Sequence, residues 1–268
     1  MKSDYKEYLD FATDLIIKAG NLLHNKRGLA VIKTKKDFGD FATDADYQVE
    51  ELILAEIKKR YPKHSILSEE KGDIKSDGGE YRWVIDPLDG TRNYQRGLPY
   101  YGTIITLEHE NKTILSVLYF PETKEVFKCL INNGSYLNGK KISCSTKNLS
   151  QGNILMYYSR YNYQKEVIDK QTRIYEKLLK KVALFNFSNT ISVDFYRLAQ
   201  GCYEGVIRRG GGNKWWDVAG GILAVRESGG IVTNFDEEET DLNNFNTGIV
   251  ATNGKIHDKL LKLIEEVK

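Results

Sequence analysis

Asp86-Pro87-Leu88-Asp89-Gly90-Thr91-Arg92-Asn93 decides how the rest of this chain is read. Two carboxylates stand three residues apart at the end of an apolar run, Tyr81, Trp83, Val84 and Ile85, and a glycine turn follows them. The run reads as a buried strand ending at Asp86, because Pro87 has no N–H to continue the ladder. The acids therefore stand at a strand's mouth. Hard divalent cations want carboxylate and carbonyl oxygens, and Mg²⁺ takes one or two protein carboxylates with water and substrate phosphate completing its shell. Asp86 and Asp89 suit that demand. The backbone N–H groups of Gly90 and Thr91, at the start of a short helix, would face an anion beside the metal. The competing reading is a plain turn with solvated acids, since D-P and D-G are ordinary turn dipeptides.

Composition sets bounds around this corner. The 268 residues are 41% apolar and 28% charged, enough for a full core in one large domain or two small ones. Lys plus Arg number 39 against 37 for Asp plus Glu, so a net charge of +2 makes no electrostatic case for a nucleic-acid partner. Any phosphate affinity must be local. Cys129, Cys144 and Cys202 are far apart and odd in number, which argues against a disulfide framework and for a reducing, cytoplasmic setting. The first residues lead into a charged amphipathic stretch rather than an apolar signal core, and no run approaches membrane-spanning length. His24, His64, His109 and His257 have no zinc-ligand spacing.

Working outward, apolar residues from Tyr5 to Leu23 recur at helical spacing, and Gly28 closes that helix. The lysine-rich stretch Lys33 to Asp40 reads as a mobile loop. A second helix starts near Thr43 and carries Val49, Leu52, Ile53 and Ile57. Short β segments are expected at Ser65 to Ser68, Tyr81 to Ile85, Thr103 to Leu107, Thr113 to Phe120 and Glu125 to Leu130, with Asn132-Asn133-Gly134 as a hairpin turn. Together they suggest a largely antiparallel sheet against the first two helices. Past residue 150 helix and strand alternate: helix Gln164 to Leu179, strand Val182 to Phe187, helix Ile191 to Ala199, strand Tyr203 to Ile207, helix Asp217 to Glu227. Strands at Ile231 to Asn234 and Gly248 to Ala251 precede a last helix from about Lys255, so the second lobe is α/β.

Three further blocks carry acids. Ser68-Glu69-Glu70 lies just past the strand Ile66-Leu67, where a second strand end could bring Glu69 beside Asp86, or where two glutamates could simply be solvated. Asp40-Phe41-Ala42-Thr43-Asp44-Ala45-Asp46 contains Thr43-x-x-Asp46, a capping-box pattern that needs no catalysis, although a helix start also holds a carboxylate rigidly. Trp215-Trp216-Asp217-Val218-Ala219-Gly220-Gly221 puts an acid in a first helical turn, where the dipole favours it anyway, followed by small residues that would let the helix pack close.

With these blocks in order, and the octapeptide matching D-P-[IL]-D-G-[ST]-x-N throughout, the chain resembles the inositol monophosphatase-like family of metal-dependent phosphatases. The resemblance implies one α/β domain over residues 1–268, an α/β/α/β/α sandwich with lobes dividing near residue 150. It implies that Glu69, Asp86, Asp89, Asp217 and the Leu88 carbonyl hold two or three Mg²⁺ ions, that Asp46 and Thr91 steer or deprotonate the attacking water, and that Gly90 and Thr91 grip phosphate oxygens. It further implies Mg²⁺-dependent, lithium-sensitive hydrolysis of a small phosphorylated metabolite, a loop before Thr43 that closes over the metals, and commonly a homodimer. No membrane partner is expected.

Substrate identity is where the resemblance thins. The family's substrate strand reads R-x-x-[GS]-[ST]-A-[AS], and the corresponding Asn186-Phe187-Ser188-Asn189-Thr190-Ile191-Ser192 lacks the Arg and the Gly, leaving Asn189 and Thr190 as candidate substrate contacts. Inositol phosphatases carry a Glu seven residues before the last metal Asp, whereas this chain has Gly210 in a Gly210-Gly211-Gly212 run. Arg208 and Arg209 could bind a second phosphate, as fructose 1,6-bisphosphate or a nucleotide bisphosphate would need, or could be solvated strand-end charges. Tyr157, Tyr158, Tyr161 and Tyr163 could line a sugar or base pocket, or form core edges. The activities in view are therefore inositol-1-phosphatase, fructose-1,6-bisphosphatase, histidinol-phosphatase and nucleotide 3′-phosphatase, with a catalytically idle metal- and phosphate-binding scaffold as the non-enzymatic alternative.

Overall fold

The computed structural model describes residues 3–37, 40–77, 79–157, 165–186, 190–209 and 213–267. Helix α1 (Ser3–Lys26) leads into a hairpin of β1 (Ile32–Asp37) and β2 (Asp40–Thr43), then α2 (Asp44–Arg60). Strands β3 (Ser65–Ser68), β4 (Gly72–Ile74) and β5 (Tyr81–Asp89), the short helix α3 (Thr91–Gln95), and β6 (Gly102–His109), β7 (Lys112–Phe120), β8 (Glu125–Leu130), β9 (Gly134–Leu137) and β10 (Lys140–Ile142) complete the first half. The second half holds β11 (Asn153–Tyr157), α4 (Lys165–Leu179), β12 (Leu184–Asn186), α5 (Ile191–Ala199), β13 (Gly205–Arg209), α6 (Trp215–Glu227), β14 (Ile231–Thr233), β15 (Gly248–Thr252) and α7 (His257–Glu265).

Strands β10-β9-β8-β7-β6-β5-β3-β4 form one sheet, antiparallel except where β3 runs parallel to β5. A second sheet has the order β12-β11-β13-β15-β14, with β11 parallel to both of its neighbours. Period-two alternation divides the large sheet's side chains between two cores. Trp83, Ile85, Ile105, Val117 and Tyr119 face Leu15, Ile16 and Ala19 of α1 and Val49, Ile53 and Ile57 of α2. Their neighbours Val84, Ile104 and Leu118 face the opposite way, onto α5, α6 and the inner side of the second sheet. The outer side of that sheet packs Ile154, Met156, Ile207 and Val250 against α4 and α7. The layers are thus α/β/α/β/α. Gly221 makes the middle layer thin, since a β-carbon there would stand 2.5 Å from the Phe195 side chain of α5.

Two expectations change. Lys33 to Asp37 is not an irregular loop: Thr34 pairs with Ala42 and Lys35 with Phe41, so the lysine-rich stretch is one arm of an antiparallel hairpin leading directly into α2. Phe38 and Gly39 lie outside the described residues. Nor does β5 end at Asp86. The ladder pairs Asp86 with Ile104 and resumes at Asp89 with Gly102, so three steps on β5 oppose two on β6. This is a bulge, the place in a sheet where a proline without an N–H is tolerated.

Candidate active site

The bulge in β5 creates the corner. Thr103 Oγ1 donates to the Pro87 carbonyl at 2.9 Å, and the Leu88 N–H turns back to Asp86 Oδ1 at 3.0 Å. Asp86 and Asp89 are held on the distorted segment, 1% and 8% exposed. Gly90 then takes φ 88°, and a β-carbon on it would lie 2.6 Å from the Tyr100 carbonyl oxygen, so glycine is required twice over. Helix α3 follows, its first N–H groups unable to bond within the helix.

Asp46 arrives from the start of α2. Its Oδ2 accepts from the Thr43 N–H at 2.8 Å and the Thr43 hydroxyl at 2.5 Å, while the Thr91 hydroxyl lies 3.2 Å from Oδ1. Thr91 Oγ1 is also 2.9 Å from the Leu88 carbonyl. The capping box is therefore real, and the same carboxylate reaches the octapeptide. Asp46 is 1% exposed, and burial, assisted by the nearby Glu70, pushes its pKa up to about 6 against the lowering effect of the Thr43 and Thr91 hydrogen bonds.

Glu69 follows β3, the parallel neighbour of β5, and its N–H donates to the Ile85 carbonyl at 3.3 Å, one residue from Asp86. Asp217 sits in the first turn of α6, where the Lys214 N–H meets its Oδ2 at 3.3 Å. The same turn is pinned to the large sheet by Trp215, whose indole N–H donates to Glu108 Oε1 at 2.7 Å. Trp216 is only half-buried against the middle core.

These acids feel one another. Burial holds the Asp86 carboxyl well above the usual carboxylate range, and the charges of Glu69, Asp89, Asp217 and Asp46 push in the same direction. Asp217 is raised by burial, Glu69 and Asp89, with Arg208 opposing. Among the described residues no three His, Cys, Asp or Glu side chains close on a single point by themselves. The donor set fits Mg²⁺ nonetheless, because it consists of hard oxygens, Mg²⁺ needs only one or two carboxylates, and the crowded anions require a compensating cation or protons.

Other residues fall differently. Thr190 is 1% exposed; its hydroxyl accepts from Asn93 Nδ2 at 2.6 Å and lies 3.1 Å from the Tyr100 carbonyl oxygen, so it fastens the start of α5 to the Gly90 turn. Asn189, Tyr158, Tyr161, Tyr163 and Gly210 to Gly212 lie outside the described residues. The solvated reading of Arg208 is corrected: it is 2% exposed, donates from Nε to Asn213 Oδ1 at 2.9 Å, and opposes the Asp217 shift. Asn93, assigned no role on sequence grounds although it closes the octapeptide, also donates to the Tyr100 carbonyl at 2.9 Å and so ties the two halves of the site. Glu50, buried one turn after Asp46 on α2, was missed as well; an acid within the apolar stripe of Val49, Ile53, Leu54 and Ile57 is its sequence signal.

With the geometry in place, residues 4–268 match the inositol monophosphatase family. The chain belongs to that family. Within it, the chain is 35% identical over 260 residues to an inositol-1-monophosphatase of Synechocystis, covering 96% of this chain and 88% of the relative. It is 32% identical over 258 residues to a protein named Nus factor SuhB from Haemophilus influenzae, covering 96% and 95%. The crystal structure of the extragenic suppressor protein suhB from Bartonella henselae superposes with a TM-score of 0.89 at 26% identity, over 97% of this chain and 99% of that one. The inositol monophosphatase family thus supplies relatives named both as enzymes and as Nus factors.

Proposed function

We propose that this protein is a Mg²⁺-dependent phosphomonoesterase acting on a small phosphorylated polyol or sugar, an inositol-1-phosphate type of substrate being the first choice. The observation that carries the reading is the joining of Asp46 to Thr91 on the same turn that presents Asp86, Leu88 and Asp89. Glu69, Asp86 and the Leu88 carbonyl would hold one cation, and Asp86, Asp89 and Asp217 another. When bound, the cations would supply Lewis-acid charge for the phosphate oxygens and lower the pKa of bound water.

The chain's own residues do the rest. Thr91 Oγ1 can accept a proton from water while passing its own to Asp46, whose value near 6 suits a base at neutral pH. The N–H groups of Gly90 and Thr91 face phosphate oxygens, where a fixed donor is commonly worth about 3 kcal/mol in the transition state. Burial of Asp86 and Asp46 keeps the polar geometry fixed.

A panel of phosphomonoesters tests this: inositol 1-phosphate, fructose 1,6-bisphosphate, histidinol phosphate, NADP and adenosine 3′,5′-bisphosphate, each with and without Mg²⁺. Release of phosphate only with Mg²⁺, blocked by Li⁺, is expected; a preference for a bisphosphate would move the substrate class. The relatives named Nus factor favour a second reading, action through a macromolecular partner, and lend no support to the expectation of no nucleic-acid partner. Silence toward every phosphomonoester in the panel would turn the balance to that reading. A homodimer and a cytoplasmic location belong to the proposal; among the described residues no helix is long and apolar enough to cross a membrane.

A further inference from the structure

We infer that Glu50 is a positioning residue for the cation site, one that sets Glu69 without touching the ion. This rests on the reading of Glu69 as a cation ligand. Glu50 is fully buried in the inward stripe of α2, which is otherwise apolar after Asp46. A carboxylate in such a stripe is retained only where donors converge on it. They do: Glu50 Oε1 accepts from the Ser68 hydroxyl, from the Glu70 N–H at 2.9 Å and from the Lys71 N–H at 3.1 Å. The Glu69 N–H between them goes to the Ile85 carbonyl at 3.3 Å. The backbone on both sides of Glu69 is therefore fastened, one bond to the strand that carries Asp86 and the others to the helix that carries Asp46. Since Asp46 and Glu50 are four residues apart, they lie on one face of α2, and the helix fixes the water-steering acid and the Glu69 turn as a single rigid piece. Among the described residues Glu50 Oε2 has no hydrogen-bond partner, so every bond this carboxylate makes goes through Oε1 to the turn around Glu69.

The test is Mn²⁺ binding by electron paramagnetic resonance, well below the unfolding temperature, alongside phosphate release as a function of Mg²⁺. Glu50→Gln keeps the volume but offers the turn a neutral acceptor, which binds N–H and O–H donors more weakly than a carboxylate does. It should weaken Mn²⁺ binding about tenfold, as loss of a ligand-orienting partner commonly does. The Mg²⁺ concentration for half-maximal rate should rise by the same factor, with kcat at saturating Mg²⁺ within about threefold of wild type. Ser68→Ala, which removes one donor and leaves the helix untouched, should weaken Mn²⁺ several-fold and serves if Glu50→Gln does not fold. Unchanged Mn²⁺ affinity in a folded variant, or lost stability with unchanged affinity, overturns the inference. A wild type that releases no phosphate yet loses Mn²⁺ affinity on Glu50→Gln would sink the proposed activity and leave the positioning role standing.

Discussion

Asp46 and Asp217 occupy the same place in their helices, the third residue of the first turn, and each turns its carboxylate back to the N–H of the capping residue. Their surroundings differ. Burial raises the Asp46 pKa, and the hydrogen bonds it accepts from the Thr43 and Thr91 hydroxyls restrain the rise to about 6. Asp217 is driven well above the carboxylate range by burial, with the charges of Glu69 and Asp89 adding to it. The same carboxylate-to-cap N–H bond thus places two acids in different company, and on the proposed function one exchanges a proton with a hydroxyl while the other meets a positive charge. Tertiary neighbours, not helix position, assign the work.

The largest effect expected is from Asp217→Asn, which should lower Mg²⁺-dependent phosphate release about a thousandfold, the size of losing charge stabilisation worth several kcal/mol. The same variant sharpens the comparison through stability. A carboxyl raised in the folded state binds protons more readily there than in the unfolded chain, so its contribution to stability falls as pH rises through the folded window. In cation-free buffer at pH 8, Asp217→Asn should therefore melt no lower than wild type, while losing most of the stabilisation that Mg²⁺ gives. Asp46→Asn should do the reverse, keeping the Mg²⁺-induced rise in melting temperature and losing about a hundredfold in kcat, the usual scale for a displaced general base.

A smaller effect is the pH profile. An Asp46 base must be ionised, so kcat should rise with pH along a limb at about 6 or below, because a nearby cation would pull the value down. Asp46→Asn should flatten that limb. Smallest is Thr43→Ala, which removes a cap worth about 1 kcal/mol. It also removes a hydrogen bond that lowers the Asp46 pKa, so the limb should move to higher pH. A limb that stays in place would break the assignment of the titration to Asp46.

Much of this was readable in the residues, and the exceptions have physical causes. Strands that read as long runs of β-branched, aromatic and other apolar residues buried on both faces, such as Thr113 to Phe120, and helices with a strong apolar stripe, such as α1, stand close to their expected positions because local pattern and tertiary burial agree. The β1–β2 hairpin escaped notice because its lysine-rich first arm has no apolar face to declare it. Strand β5 runs past Pro87 because a bulge absorbs the missing donor, which only the pairing with β6 reveals. Strand β11, buried at Ile154, Leu155 and Met156, is a short apolar run that periodicity cannot distinguish from a helix segment. The layer order came from the family resemblance, since strand order depends on long-range pairing. Arg208 reads as a surface charge because sequence says nothing of its Asn213 partner or of its effect on Asp217. The acids themselves were legible as blocks, but their mutual repulsion is a property of the fold.

That repulsion can be measured by titrating Mg²⁺ calorimetrically at pH 6.5 in two buffers of different ionisation enthalpy, for wild type and Asp86→Asn. Saturable binding that releases protons, and is lost in the variant, is the predicted result. Absence of saturable binding, or binding that is indifferent to Asp86→Asn, would contradict the account.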